Sequence, residues 1–160
     1  MESEFTRPVA VLWWGITLAW AALVFCLSTQ AFGPSFSGTW LARSLDLLEL
    51  RVSSATFRLL HSLLRGLAHL IEYAIFALLL YGLPVEKSRG PWRPRRAMFC
   101  IVVATLYSLS DEFHQLFVPG RHASLLDCGL DAIGAALAML VPYTQEQMSL
   151  LKSNTAFSKG

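Results

Sequence analysis

The sequence predicts an all-α integral membrane protein, a four-helix bundle with one or two amphipathic interfacial helices between the first and second transmembrane helices. Its 160 residues are 54% hydrophobic, with a mean hydropathy of +0.49. Soluble domains are usually about 45–50% apolar. The apolar residues fall into blocks of membrane-spanning length, and the charged residues gather between these blocks or at their ends. A single helical membrane domain explains this distribution better than a soluble core.

The first transmembrane helix is predicted over Val9–Leu27, a stretch without a charged residue that follows Arg7. At about 1.5 Å per residue, it is long enough to cross a hydrocarbon core of about 30 Å. A cleaved signal peptide is the alternative. However, the apolar run is long for a signal peptide, and no clear small-x-small cleavage site follows it. We therefore expect the segment to be retained.

The stretch from Trp40 to Arg65 is predicted to form the interfacial helices. Its leucines are interleaved with arginines and acidic residues, and Leu60, Leu64 and Leu67 recur at helical spacing. This pattern is typical of amphipathic helices that lie in the membrane surface. The stretch carries too many charges to span the bilayer.

Three further transmembrane helices are predicted, over residues 66–83, 97–117 and 123–141. In the last of them, Gly134 and Ala138 form a small-xxx-small pair, which suits either internal helix packing or self-association. The membrane domain thus covers residues 1–142. Residues 143–160 form a polar C-terminal tail, which we expect to be frayed. The oligomeric state stays open.

A basic cluster sets the predicted orientation. Five of the 13 Lys and Arg residues lie between Lys87 and Arg96, and short loops rich in these residues favour the cytoplasmic side. Apart from Trp92 the cluster has no aromatic residue on which bases would stack, so we expect no nucleic-acid partner. With this loop inside a bacterial inner membrane, four crossings place both termini in the cytoplasm.

Alternating crossings bring the unusual polar residues into one layer near the outer face. Ser28 and Gln30 follow the first helix, and the other polar residues lie at the outer ends of the remaining three. The predicted acid/base or ligand set is His69, Glu72, Asp111, Glu112, His114 and Asp127, and the predicted ligand-binding set is Tyr73, Gln115, Arg121 and Asp131. Ionisable residues are costly inside a membrane and usually functional. Helix–helix hydrogen bonding alone is the structural alternative.

Five carboxyl groups share this layer with Arg121 as the one fixed positive charge nearby. Buried carboxylates need compensation, which a bound metal, shared protons or a cationic ligand would each provide. The nitrogen and oxygen donors of His69, Glu72, Asp111 and His114 would suit a divalent metal such as zinc. The same groups would serve general acid/base chemistry.

Three sequence blocks resemble the VanZ-like family of small bacterial membrane proteins. They are His69-Leu-Ile-Glu72-Tyr73, then Asp111-Glu112-Phe-His114-Gln115 with Pro119-Gly120-Arg121, and finally Asp127, Asp131 and Gly134 at helical spacing. The resemblance covers most of the chain and implies a link to glycopeptide (teicoplanin) resistance. The family pattern is expected to have Asn where this chain has Asp131. That departure adds an acidic group to the site.

Three functions follow as hypotheses. The first is an envelope enzyme, with or without a metal, that acts on a lipid-linked or lipophilic substrate, with Arg121 holding an anionic head group such as phosphate. The second is a non-catalytic module in which the same site binds such a ligand, a glycopeptide or a protein partner. The third is a proton- or ion-coupled carrier. The absence of charges toward the inner half of the predicted helices disfavours the carrier.

Overall fold

The computed structural model describes residues 6–82 and 92–157, and within these ranges the chain is helical without any strand. The helices are α1 (Thr6–Leu27), α2 (Pro34–Leu47), α3 (Ser54–Tyr81), α4 (Pro94–Gln115), α5 (Leu125–Ala138) and α6 (Leu140–Phe157). A single 3-10 turn, Gln30–Phe32, lies between α1 and α2. The predicted all-α class is confirmed.

Three helical stretches are long and apolar enough to cross a membrane. They are Val9–Leu27 in α1, Ser54–Tyr81 in α3, and Leu125–Ser153, which runs through α5 into α6. The helix α4 is not among them, since it carries two arginines near its start and two acidic residues near its end. The part of the predicted basic loop between residues 83 and 91 lies outside the described residues.

The helix α3 is longer than predicted. We expected an amphipathic helix ending near Arg65 and a separate span over 66–83, but one helix of 28 residues runs from Ser54 to Tyr81. The side-chain oxygen of Ser53 caps its start by accepting from the backbone N–H of Thr56 at 3.1 Å. Gly82, with a φ of +70°, ends it in the left-handed conformation. Only α2 therefore remains as a separate helix between the first two candidate spans, and none of its side chains is buried.

The closest packing in the molecule joins α3 and α5, which run side by side in the same direction. Gly66 faces Leu130, and one helical turn further along Gly134 faces Leu70. A Cβ atom added at Gly134 would lie 2.2 Å from the carbonyl oxygen of Leu70, so only glycine fits this contact. The small-xxx-small pair therefore serves internal packing, since Ala138 is buried as well.

The helix α1 is attached to its neighbours by aromatic side chains that donate to backbone carbonyls. The indole N–H of Trp13 donates to the Leu79 oxygen at 2.9 Å, and Trp20 donates to the backbone oxygen of Glu72 at 3.1 Å. The Tyr107 hydroxyl of α4 donates to the Ala21 oxygen of α1 at 2.7 Å. These bonds fix the positions of α1, α3 and α4, which carry most of the polar site.

The expected fraying of the C-terminal tail is wrong, because α6 extends to Phe157. Its hydroxyl side chains bond back to the preceding turn, as in the 2.9 Å bond from Thr144 to the Leu140 oxygen. The helix is also held to the rest of the domain. The Glu146 carboxylate accepts from the backbone N–H of Trp92 at 2.5 Å, and the Trp92 ring packs edge-on against Tyr143.

Candidate functional site

The polar residues of three helices and one loop converge on a partly open cavity of about 210 Å³. Its polar wall consists of Ser28, His69, Glu72, Asp111, Gln115 and Arg121, with Arg65 and Ser37 also lining it. Apolar side chains of α1, the 3-10 turn and α2 complete the wall. The structure thus brings together most of the polar residues that the sequence placed in one layer, but His69 and Glu72 lie midway along α3 and not at its end as predicted.

The imidazole of His69 is held by a buried carboxylate on α5. Asp131 is only 1% exposed, and its Oδ1 atom lies 3.1 Å from His69 Nδ1. The Ser108 hydroxyl donates to the other oxygen, Oδ2, at 2.5 Å. A carboxylate on one ring nitrogen fixes the tautomer and leaves the other nitrogen available for chemistry. In this case the other nitrogen, Nε2, lies 3.9 Å from the Asp127 carboxylate.

Two polar groups of α3 are left without partners near the cavity. The Glu72 carboxyl group lines the cavity and makes no hydrogen bond or ion pair with any described residue. The next residue, Tyr73, is 2% exposed, and its buried hydroxyl has no hydrogen-bond partner in the described parts of the chain. Buried polar groups are nearly always paired, so the unpaired Tyr73 hydroxyl needs an explanation, whereas the Glu72 carboxyl group is only partly buried.

The carboxyl groups at the end of α4 share one partner and differ in the other. The Gln115 amide donates to Asp111 at 3.4 Å and to Glu112 at 3.2 Å. Asp111 also accepts from the Ser28 hydroxyl at 2.6 Å. Glu112 does not line the cavity, and it accepts from the backbone N–H of Ser124, the N-cap of α5, at 2.6 Å. Asp111 therefore belongs to the cavity wall, whereas Glu112 fixes the start of the neighbouring helix.

Arg121 caps the end of α1. Its guanidinium donates to the backbone oxygens of Leu27, Thr29 and Phe32, with distances to Thr29 of 3.1 Å and 2.9 Å. Burial lowers the pKa of this guanidinium, and the positive charge of Arg65 lowers it further, but arginine stays protonated in proteins. A cation at a helix C-terminus also favours the helix dipole. Most of its donors are therefore used within the protein.

Comparison with known proteins places this chain in a family. The family model described as VanZ/LLP1 matches residues 13–145, which include every residue of the cavity wall. The chain belongs to the VanZ/LLP1 family. The resemblance inferred from the sequence blocks is thereby confirmed. No curated protein and no solved structure matches the chain.

In this VanZ/LLP1 protein, four of the predicted site residues lie outside the cavity: Glu112 and Asp131, described above, and His114 and Asp127. The His114 ring packs against Phe25, with 4.6 Å between ring centroids, and its buried Nδ1 atom has no partner among the described residues. Asp127 lies at the start of α5, 3.6 Å from the Arg65 guanidinium. Both are close to the cavity without lining it.

The predicted metal ligands of this VanZ/LLP1 protein do not form a metal site. Within residues 6–82 and 92–157, no group of three or more His, Cys, Asp or Glu side chains is arranged to hold a metal ion. The set His69, Glu72, Asp111 and His114 fails because His114 turns toward α1, whereas Asp111 faces the cavity from the same helix. No step through a metal is derived from these residues.

Three residues contribute to the site of this VanZ/LLP1 protein without having been predicted from the sequence. Ser108 is buried on α4 and bonds Asp131, Arg65 lines the cavity, and Ser37 of α2 lines it as well. Ser108 precedes Asp111 by three residues in an apolar helix, so helical spacing was a usable signal. Nothing in the sequence indicated that α2 would fold back over the cavity.

Proposed function

We propose that this VanZ/LLP1 protein is a multi-pass protein of the bacterial cytoplasmic membrane that binds the polar head of a lipid-linked or lipophilic envelope ligand in its cavity. The observation that supports this is the cavity wall itself. It contains His69 and Glu72 on α3, a helix apolar enough to cross a membrane, with Asp111 of α4 in the same wall, and the Glu72 carboxyl group has no partner among the described residues. Ionisable groups in such a setting usually serve a ligand or a proton.

The proposed topology has four crossings, made by α1, α3, α4 and α5, with both termini in the cytoplasm and the cavity toward the outer face. The basic residues between Lys87 and Arg96 support this orientation. The cavity residues Ser28 and Asp111 follow or end α1 and α4, at the ends opposite the basic loop. An outward cavity would meet ligands of the cell envelope.

The size of the cavity limits what it encloses. Pockets for drug-sized molecules usually measure about 300–1,000 Å³, whereas this cavity holds about 210 Å³. A glycopeptide is larger than a drug-sized ligand, so the cavity takes a head group or a side group of the ligand. A role in teicoplanin resistance would therefore depend on a lipid-linked envelope component, or on one appendage of the drug.

The pair formed by His69 and Asp131 favours acid/base chemistry on the bound ligand as a second, catalytic function. A histidine oriented by a buried carboxylate is the arrangement used for general bases. In this proposal His69 moves the proton, Asp131 orients it, and Glu72 and Asp111 hold the ligand.

The binding proposal is tested by filling the cavity. Ala68 lines it but is exposed, so a larger side chain there narrows the cavity without overpacking the core. Native mass spectrometry of the protein extracted from bacterial membranes should show a bound lipid or lipophilic species in the wild type. Ala68→Phe should lose this species. The matched control is Ala55→Phe, which changes an exposed alanine of the same helix and should keep it. Equal occupancy in all three proteins, or none in any, would contradict the proposal.

The resistance role is tested in a teicoplanin-sensitive bacterium. Expression of the wild-type chain should raise the minimal inhibitory concentration of teicoplanin, and Ala68→Phe should abolish the increase while Ala55→Phe retains it. An increase that persists in Ala68→Phe would show that resistance does not depend on the cavity. Equal membrane levels of the three proteins, checked by immunoblot, are required for the comparison.

A further inference from the structure

Several hydrogen-bond donors of the cavity wall are already used within the protein, whereas carboxylate oxygens of the wall remain free to accept. The Ser28 hydroxyl donates to Asp111, and the Arg121 guanidinium donates to the carbonyls at the end of α1. The Arg65 guanidinium lies 3.6 Å from the Asp127 carboxylate. A ligand that enters the cavity therefore meets two arginines that are already engaged within the protein, Arg121 by hydrogen bonds and Arg65 by an ion pair. This weakens the earlier expectation that Arg121 holds a phosphate.

Two carboxylates of the wall have unused acceptor capacity. The Glu72 carboxylate has two oxygens and no partner among the described residues, and Asp111 takes one bond on each oxygen, where each oxygen can accept two. Tyr73 gives a second, independent indication of a ligand. It lines the cavity, is 2% exposed, and its buried hydroxyl oxygen has no partner in the described ranges. A hydroxyl oxygen can accept as well as donate.

We propose that the ligand of this cavity carries a primary ammonium group, bound by Glu72 with Asp111 and Tyr73. This inference rests on the proposed function, because it names the chemical class of the ligand that the cavity takes. An ammonium group has three N–H donors and no acceptor, which matches a wall with unused acceptors. Its positive charge also offsets the cost of placing carboxylates in an apolar layer.

The volume fits such a head group. About 210 Å³ equals the liquid volume of roughly seven water molecules, which accommodates an aminoalkyl group of a few heavy atoms. A large sugar or peptide does not fit inside. The same ammonium chemistry occurs on lipid head groups and on small water-soluble amines, and the experiment separates these two sources.

The experiment compares ligands that share a tail and differ in the charge of the head. The full chain is purified in detergent, and dissociation constants are measured at pH 7 by native mass spectrometry for dodecylamine, dodecyl phosphate and ethanolamine. Dodecylamine should bind at least 10-fold more tightly than dodecyl phosphate. If dodecylamine binds more tightly than ethanolamine, the ammonium group belongs to a lipid. If the two affinities are equal, the ligand is a soluble amine.

Variants link the binding to the named residue. Glu72→Gln keeps the shape of the side chain and removes its charge, so it should weaken dodecylamine binding roughly 10- to 100-fold, which is the range for a charge-assisted hydrogen bond. The matched control Glu49→Gln changes an exposed glutamate outside the cavity and should leave the affinity unchanged. A dodecylamine affinity that is the same in Glu72→Gln and the wild type would overturn the proposal.

These measurements distinguish a failure of the ammonium inference from a failure of the proposed ligand-binding function. If dodecyl phosphate binds more tightly than dodecylamine and Ala68→Phe removes that binding, the cavity binds an anionic ligand and only the ammonium inference is overturned. If Ala68→Phe changes the binding of neither amphiphile and the wild type also extracts no bound species, the proposed function is overturned with it.

Discussion

Replacing Gly134 by alanine should destabilise the protein, although alanine favours a helix. The added Cβ atom would lie 2.2 Å from the Leu70 carbonyl oxygen and 3.0 Å from the Leu70 carbonyl carbon. Ordinary contact begins at 3.4 Å, so α5 must move away from α3 by about 1.2 Å, the difference between 3.4 and 2.2 Å. The atoms that the added Cβ meets belong to the backbone of α3, so no flexible side chain can move aside instead.

The expected cost follows from two opposing terms. Overpacking a core typically costs about 1–3 kcal/mol, and a rigid backbone contact of this kind belongs at the upper end. Replacing glycine by alanine inside a helix stabilises the helix by about 1 kcal/mol. The net loss is about 2 kcal/mol, which corresponds to a fall in Tm of roughly 4–8 °C for a chain of this size.

The same helix contains the control. An added Cβ at Gly129 meets nothing within 4 Å, so Gly129→Ala should keep or raise the Tm by the helix-propensity term alone. Thermal unfolding of the detergent-solubilised variants, followed by circular dichroism, measures both. If Gly134→Ala melts at or above the temperature of Gly129→Ala, the close contact between α3 and α5 is not what holds these helices together.

Three further predictions concern polar contacts and use the same unfolding measurement. Asp131→Asn should change the free energy of unfolding by less than about 1 kcal/mol, because an amide can still bond His69. Asp131→Ala should lower it by about 3 kcal/mol, because the buried partners of Asp131 are left unpaired. Equal losses in the two variants would mean that these hydrogen bonds do not stabilise the protein. Arg121→Lys should lower the free energy of unfolding by about 1–2 kcal/mol, because one ammonium group cannot bond all the α1 carbonyls that the guanidinium reaches. A Tm equal to that of the wild type would show that Arg121 does not stabilise the end of α1. Ser28→Ala should cost about 1–2 kcal/mol by removing a donor from buried Asp111, and an unchanged Tm would show that the bond contributes nothing.

The meeting of the polar residues could be predicted from the sequence because it depends only on helices that alternate in direction. Asp111 lies near the end of α4 and Asp131 within the first two turns of α5, as predicted. His69 lies beside Asp131 but midway along α3, because that helix begins earlier than predicted. Which of the neighbouring residues face the cavity depends on helix rotation. Asp111 and Gln115, four residues apart, share one face, and His114 does not.

The errors in the predicted helix bounds have a physical cause as well. Hydropathy marked Arg58 and Arg65 as the end of an interfacial segment, but a charged side chain interrupts an apolar run without interrupting backbone hydrogen bonds. The helix begins at its Ser53 cap and ends at Gly82. A cap and a glycine were both present in the sequence and were better boundary signals than charge.

The partners of Arg121 were beyond prediction from sequence. Its position after Pro119-Gly120 indicated a turn, and Gly120 does adopt a φ of +77°. No spacing rule connects this turn with the end of α1, since Arg121 follows Thr29 by 92 residues. Such contacts depend on how three helix ends meet in space, which a single sequence does not reveal.

This contact also sets an order of events during synthesis. The last carbonyls of α1 leave the ribosome 92 residues before the side chain that caps them. At about 5–20 residues per second, they wait on the order of ten seconds for Arg121. During that interval these carbonyls lack the guanidinium that bonds them in the folded protein. The first helix of the chain is therefore completed only after the loop between α4 and α5 has been made.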